Sequence, residues 1–291
     1  MCIRDRKNID RLSARGFALG YIGGGLVLLV VFLMIQFHGV FGFVDAGAAS
    51  RAGFLLTGLW WLLFSLPMFH YVREEVFVHE PQPMLQGFRA YVKTFAEIRR
   101  YRDLLLFLVA FLFYNDGIQT IIVVSAIFGR EELGLSQGTI LGVFLMIQFV
   151  AMPGALLFGR LAERFDPKKS VLASLFLFAG VTIYAFFMAE AYEFWILGFV
   201  VALILGGSQA ISRSLFASLI PTGKSAEFFG FYAISGKFAS ILGPMIFALI
   251  ADLTGSTRHA ILALIVFFVV GIVLLLRVDI ERGRLLARVP R

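Results

Sequence analysis

The chain has 291 residues, of which 59% are apolar, 15% aromatic and 15% charged, and its mean hydropathy is +0.88. Soluble domains carry roughly 25% charged residues, so this composition excludes a water-soluble enzyme, a disordered tail and a nucleic-acid-binding domain, and it reads as an all-α polytopic membrane protein. The net charge of +7 matters through where it falls, and the single cysteine, Cys2, excludes a disulfide framework and a thiolate metal cluster.

Stretches free of Asp, Glu, Lys and Arg predict the spans in chain order: 16–44, 52–69, 133–159, 170–189, 194–212 and 260–276. Two more, 104–129 and 228–251, carry one charge each, Asp116 and Lys237. Most reach the roughly 20 residues that cross a ~30 Å hydrocarbon layer as a helix. Barrel strands would be about 10 residues long with alternating polarity, which these continuous runs are not.

Eight spans put both termini on one side. That side collects 22 of the 26 Lys and Arg residues, and the other holds only Arg51, Arg130 and Arg258. Positive charge stays cytoplasmic, so both ends are expected in the cytoplasm, with the spans in a bacterial inner membrane. The longest cytoplasmic connection opens with Pro81 and Pro83 and then repeats apolar residues at Met84, Leu85, Phe88, Tyr91, Val92, Phe95 and Ile98. That spacing predicts an amphipathic helix lying on the leaflet.

Two spans precede this connection and six follow it. Transporters built from repeats pair halves of equal size. The expected organisation is a cytoplasmic segment at 1–15, in which residues 1–6 fit no pattern and read as an artefact of assembly or cloning. The last two helices of one half follow at 16–72, the linker at 73–103, a complete six-helix half at 104–277 and a cytoplasmic tail at 278–291. On this reading the chain is truncated at its N-terminus.

The loop after the fourth span reads Gly159-Arg160-Leu161-Ala162-Glu163-Arg164-Phe165-Asp166-Pro167-Lys168-Lys169. It resembles the loop motif of the major facilitator superfamily, with Glu163 for Asp, Asp166 for the second Gly and Pro167 for a basic residue. Three further stretches narrow the likeness: Tyr114 to Thr120 in the third span, Gly206 to Ser214 ending the sixth, and Ala226 to Tyr232 opening the seventh, with Leu242-Gly243-Pro244 within it. Together they resemble the vacuole-effluxer (autophagy-related 22-like) family of permeases. The resemblance implies eight transmembrane helices corresponding to helices 5–12 of a major facilitator fold. It also implies alternating-access transport of a small solute, with amino acids suggested by fungal members and protons as a candidate coupling ion. The partners so implied are the lipid bilayer, the solute and the missing N-terminal helices.

Charge at the bilayer centre costs at least ~2.5 kcal/mol, so Asp116 and Lys237 need a reason. At 1.5 Å per residue both lie near the midplane, where they can face the bundle interior and either pair or share a water-filled cavity. The bland counterpart is an ion pair that only locks two helices. Tyr114, Asn115, Gln119 and Thr120 extend this patch and are candidate substrate contacts, against simple helix–helix hydrogen bonding. Ser208, Gln209 and Ser212 form a second candidate patch, with Gly206 and Gly207 permitting close helix approach. Gly159, Glu163, Arg164, Asp166 and Lys168 are gating candidates, against a plain solvated turn. Arg213 reads first as an anchor at the cytoplasmic interface and second as an anion contact or gate. Tyr21 with Gly20, Gly23, Gly24 and Gly25 gives the first span a small-residue face for a helix of the other half, and Trp60 and Trp61 read as bulky packing.

No catalytic constellation stands out. His38, His70, His79 and His259 have no metal-ligand spacing, no nucleophile elbow is present, and Gly223-Lys224-Ser225 lacks the upstream Gly of a phosphate loop. No enzyme activity, metal or cofactor is expected. The alternative to a transporter is an eight-helix membrane protein that binds or assembles without transporting.

Overall fold

The computed structural model describes residues 9–71, 97–221, 224–238 and 240–288. The described residues form helices joined by short turns, and eight stretches are long and apolar enough to cross a membrane. The amphipathic helix expected between Met84 and Phe95 lies outside the described residues.

The first helix, α1, is Ile9–Gln36. It starts inside the segment expected to precede the membrane and stops well before residue 44. Residues 37–44 form hydrogen-bonded turns, with Phe43 donating to the His38 carbonyl and Gly42 at φ 77°, a conformation favouring glycine. α2 (Ala46–Tyr71) follows, its first turn held by Asp45 accepting the Ala48 N–H at 2.6 Å. α2 packs on α1 where Gly53 lies under Val31. Its other face is bare: Phe54 is 79% exposed and Trp61 74% exposed, so Trp61 is not the packed residue that its mid-span position suggested.

The remaining helices are α3 (Arg102–Glu131), α4 (Gln137–Arg164), α5 (Pro167–Phe187), α6 (Ala191–Leu219), α7 (Ser225–Phe238), α8 (Leu242–Thr254), α9 (Thr257–Ala263), α10 (Ile265–Leu276) and α11 (Ile280–Arg288). Short turns are closed by local chemistry. Ser136 and Asp166 accept backbone N–H groups at the starts of α4 and α5, Pro167 occupies the first position of α5, and Glu190 with Glu193 forms a capping box at α6. α8 ends on Gly255 at φ 65°, the left-handed cap that needs glycine.

The seventh span, Glu227–Thr254, is a broken helix, with α7 and α8 on either side of the interruption. Pro244 sits in the first turn of α8. A proline there cannot donate to a preceding turn, and its ring would strike the carbonyl four residues back, so the helix restarts instead of running through.

The core belongs to residues 97–288, with Phe107, Phe178, Phe216, Phe228 and Phe268 fully buried among the largest side chains. Glycine sets the closest crossings. On α4 and α6, a Cβ at Gly154 would lie 2.8 Å from the Leu203 Cα, and one at Gly198 would lie 2.7 Å from Val143. On α3 and α10, Gly271 lies under Tyr114 and Gly117 under Phe267 and Phe268. Such small-residue contacts let backbones approach where lipid supplies no hydrophobic drive between helices.

α1 does not stand apart from this unit. It lies along α4: Ala14 meets Gly159, Gly24 and Gly25 meet Gln148 and Phe149, and Gln36 approaches Gly138. Half of the expected small-residue face is therefore used, since Gly20 and Gly23 have nothing within 4 Å of their Cβ positions. The tail carries a docked helix, α11: the Asp103 carboxylate accepts from the Asp279 N–H at 3.0 Å and from Arg282 at 2.6 and 2.7 Å.

Candidate functional site

Two polar constellations emerge, one inside the six-helix unit and one between that unit and α1.

The first centres on Asp116, which has no exposed surface. Its two carboxylate oxygens each accept the Gly243 N–H at 3.0 Å. Gly243 is the second residue of α8, where helical N–H groups lack intrahelical partners and the dipole favours negative charge. The break in the seventh span thus presents a backbone donor to the only acid inside the third. Thr120 donates to the Asp116 carbonyl at 2.6 Å. Asp116 is not paired with Lys237: among the described residues no ion pair joins them, and the Lys237 side chain is exposed on α7. The sequence expectation overlooked the backbone donor that the helix break exposes.

The neighbouring candidates divide between the two faces of α3. Tyr114 is buried and donates to the Ser212 hydroxyl at 2.7 Å, linking α3 to α6. Asn115 reaches the Gly236 carbonyl of α7 at 3.5 Å, and Gln119 is half-buried. Ser208 is buried and donates to the Leu205 carbonyl of its own helix at 3.0 Å. Sequence reasoning thus grouped residues that bridge to three different helices.

The second constellation is a cavity of about 670 Å³ between α1 and the faces of α3, α4, α5 and α6. Ligand sites span ~300–1,000 Å³. On α6 the lining residues are Phe194, Leu197, Gly198, Val201, Leu205, Gln209 and Arg213. Apart from the adjacent pair Leu197 and Gly198, spacings of three and four make them one continuous stripe. At its Arg213 end the cavity is pinched where α1 touches α6. Tyr21 donates to Gln209 at 3.0 Å, Ser13 donates to the Ala210 carbonyl at 2.7 Å, and Ser214 donates to the Asp10 carboxylate. Of these, Gln209 stands out in the sequence as a candidate contact and Tyr21 as part of the packing face of the first span. Asp10 and Ser13 precede the apolar run, so they read as flanking residues; their periodicity with Tyr21 along one helix was the available signal.

The loop candidates are structural partners here. Gly159 lets Ala14 of α1 approach α4. Asp166 accepts the Lys169 N–H at 2.9 Å, capping α5. Lys168 donates to the carbonyls of Leu276 and Val278 at 3.0 and 2.7 Å, at the C-terminal end of α10 where a cation suits the dipole. Asp166 and Lys168 are each engaged elsewhere instead of with one another. Glu163 and Arg164 are exposed, and the Arg164 guanidinium lies 5.7 Å from the Phe165 ring centroid. Arg213 is exposed to the cavity with its guanidinium 5.7 Å from the Phe229 centroid.

A network missed by the sequence lies beyond the opposite end of the cavity. Glu132 accepts from the Thr257 N–H and hydroxyl at 3.1 and 2.6 Å and from Arg258 at 2.9 Å. Arg258 also donates to the carbonyls of Phe186 and Met188. Burial raises the Glu132 pKa, but the hydrogen bonds from Thr257 and Arg258 and the Arg258 charge outweigh it and hold the carboxyl below its usual range. Among the described residues no group of three His, Cys, Asp or Glu side chains is placed to hold a metal ion.

Comparison with known proteins places this geometry in a family. The family described as "Vacuole effluxer Atg22 like" matches residues 3–288, and so takes in residues 3–6, which the sequence reading had set apart. An uncharacterized MFS-type transporter of Bacillus subtilis, YxiO, is 41% identical over 277 residues, covering 94% of this chain and 64% of its own length. Autophagy-related protein 22 of Yarrowia lipolytica is 29% identical over 317 residues, covering 97% of this chain and 52% of its own. The chain therefore spans between half and two-thirds of the length of these relatives. Among solved structures, a bacterial homolog of the human lysosomal transporter Spinster, inward-facing and unoccupied, superposes with a TM-score of 0.56 at 15% identity. That match covers 95% of this chain and 70% of that one, a likeness of fold alone. With the family match running nearly end to end, this multi-pass helical membrane protein belongs to the vacuole effluxer Atg22-like family of major-facilitator-type proteins.

Proposed function

We propose that the chain is part of a secondary transporter that moves a small organic solute by alternating access, its helices corresponding to the last eight of twelve. The observation that carries this reading is the cavity between α1 and the six-helix unit, pinched at one end by contacts between α1 and α6. On the α6 side the cavity is closed by a few hydrogen bonds from α1, and rocking of α1, together with α4 along which it packs, away from α6 would open it. The 22-to-3 charge bias supports both termini lying in the cytoplasm of a bacterial cell, which makes the pinched end the cytoplasmic gate.

Asp116 fits a proton-binding role. It is a buried acid within a membrane span, and acids in that position mark proton relays. Protonating it would weaken its hold on Gly243 and free α8 to shift against α3. Amino acids are the solute suggested by the family resemblance. The lining offers Arg213 for a carboxylate but no Asp or Glu for an ammonium group.

The test is counterflow of radiolabelled leucine and radiolabelled octanoate in proteoliposomes holding the full-length protein. One of them is carried, and tethering α1 to α6 in Ser13→Cys/Ala210→Cys with a short bifunctional thiol reagent stops it. Carriage of neither solute, or carriage unaffected by the tether, contradicts the reading.

A further inference from the structure

The cavity has two unlike ends. At one, Arg213, Gln209 and Tyr21 gather polar and positive groups. Among the described residues no ion pair to Arg213 is found, and its guanidinium lies 5.7 Å from the Phe229 ring centroid. At the other end the lining side chains are the apolar Phe128, Met188 and Phe194, with the Arg258 guanidinium behind them, held by Glu132 and 6.0 Å from the Phe128 ring centroid. Between them the stripe on α6 runs from Phe194 to Arg213, about 28 Å of helix at 1.5 Å per residue. The hydroxyls along this shaft are spent on their own helices. Ser125 donates to the Ile122 carbonyl at 3.0 Å and Thr182 to the Phe178 carbonyl at 2.8 Å, so neither seeks a ligand. Gln148, standing against Gly24, is the remaining polar side chain along the shaft.

From this polarity, and resting on the reading of the cavity as the solute site, we infer that the cavity takes a single-chain amphiphilic anion. Its carboxylate or phosphate head lies against Arg213 and the Gln209 amide, whose oxygen is held by Tyr21, and its hydrocarbon chain runs along α6 toward Phe194. A zwitterion fits less well, because its ammonium group would meet no carboxylate in the lining. A neutral apolar solute would leave Arg213 without a counter-charge.

The experiment is photolabelling of the full-length protein in phosphatidylcholine nanodiscs with palmitate bearing a diazirine near its methyl end, read by mass spectrometry of the adducts. Adducts are expected between residues 188 and 201, saturable and competed by unlabelled palmitate or dodecyl phosphate. The stronger of these two competitors identifies the head group. Arg213→Gln should lower the labelling at least ten-fold, and Arg213→Lys should keep most of it. Val201→Trp, which blocks the shaft with Arg213 intact, should also abolish it. The inference is overturned by non-saturable adducts on outward residues such as Trp61 and Phe64. It is equally overturned by unchanged labelling in Arg213→Gln, or by competition from leucine or dodecyltrimethylammonium equal to that of palmitate. Saturable labelling without any counterflow leaves this inference standing and removes the transport reading. Leucine counterflow without saturable labelling does the reverse.

Discussion

Asp116 of the third span holds the Gly243 N–H of the seventh with both carboxylate oxygens at 3.0 Å. This contact joins the break in one helix to the acid in another. Neither half is stable alone: the break leaves an amide without a partner, and the acid without donors would be an unsolvated charge in the bilayer. Asp116→Ala is expected to destabilise the protein by about 1–3 kcal/mol, the cost of an unsatisfied buried donor, and Asp116→Asn, which keeps an acceptor, by less. Thermal denaturation in detergent followed by tryptophan fluorescence checks the order. Equal losses would mean that the contact is incidental.

Gly243 tests the same junction from the other side. A Cβ there would fall 2.9 Å from an Asp116 carboxylate oxygen and overlap Thr120. Gly243→Ala should cost at least about 1–3 kcal/mol through overpacking. Adding Thr120→Ala should recover part of the loss, since it removes the nearest obstruction, the Thr120 hydroxyl, and leaves the Asp116 oxygen and the residue-120 Cβ, each at 2.9 Å. A double variant no more stable than the single would show that the strain lies elsewhere.

The Glu132–Arg258 network makes a pH prediction. Glu132 has a folded-state pKa below its ordinary 4.5, so its stabilisation is present above that pH and is lost as pH falls through the folded value. Melting temperature should drop on acidification below pH 4.5, and Glu132→Gln should flatten that part of the profile. Arg258→Ala leaves the carbonyls of Phe186 and Met188 without their donor and should cost about 2 kcal/mol at neutral pH. A wild-type acid profile identical to that of Glu132→Gln would remove the assignment.

Tyr114 and Ser212 form a buried hydrogen bond between α3 and α6 at 2.7 Å. Tyr114→Phe should cost about 1 kcal/mol without altering labelling or access at the cavity, because Tyr114 does not line it. Altered access to the cavity in this variant would mean that the two constellations are coupled.

Much of the fold is legible in the sequence because the bilayer imposes long apolar runs, and all eight expected spans have counterparts here. Their ends are less so. Charge-free residues 37–44 turn instead of extending the first helix, because lack of charge does not by itself propagate a helix past Gly39 and Gly42. At the candidate site, Asp116 stands out as a buried charge, but its partner is a backbone N–H, which no residue type advertises. Lys237 was the obvious side-chain partner and is exposed. Lys168 and Asp166 are basic and acidic neighbours in sequence, yet they serve two different helix ends, which only the packing of α5 against α10 reveals.

The central claim is that the cavity beside α6 opens where α1 meets α6. Its most direct measurement is the rate at which a water-soluble, membrane-impermeant maleimide labels Val201→Cys in a Cys2→Ser background in inside-out vesicles. The rate is compared with that of the same protein carrying Tyr21→Phe and Ser13→Ala, which remove two of the pinching hydrogen bonds. The account predicts slow labelling that rises several-fold when these bonds are removed. Labelling that is equally fast with and without them would contradict it.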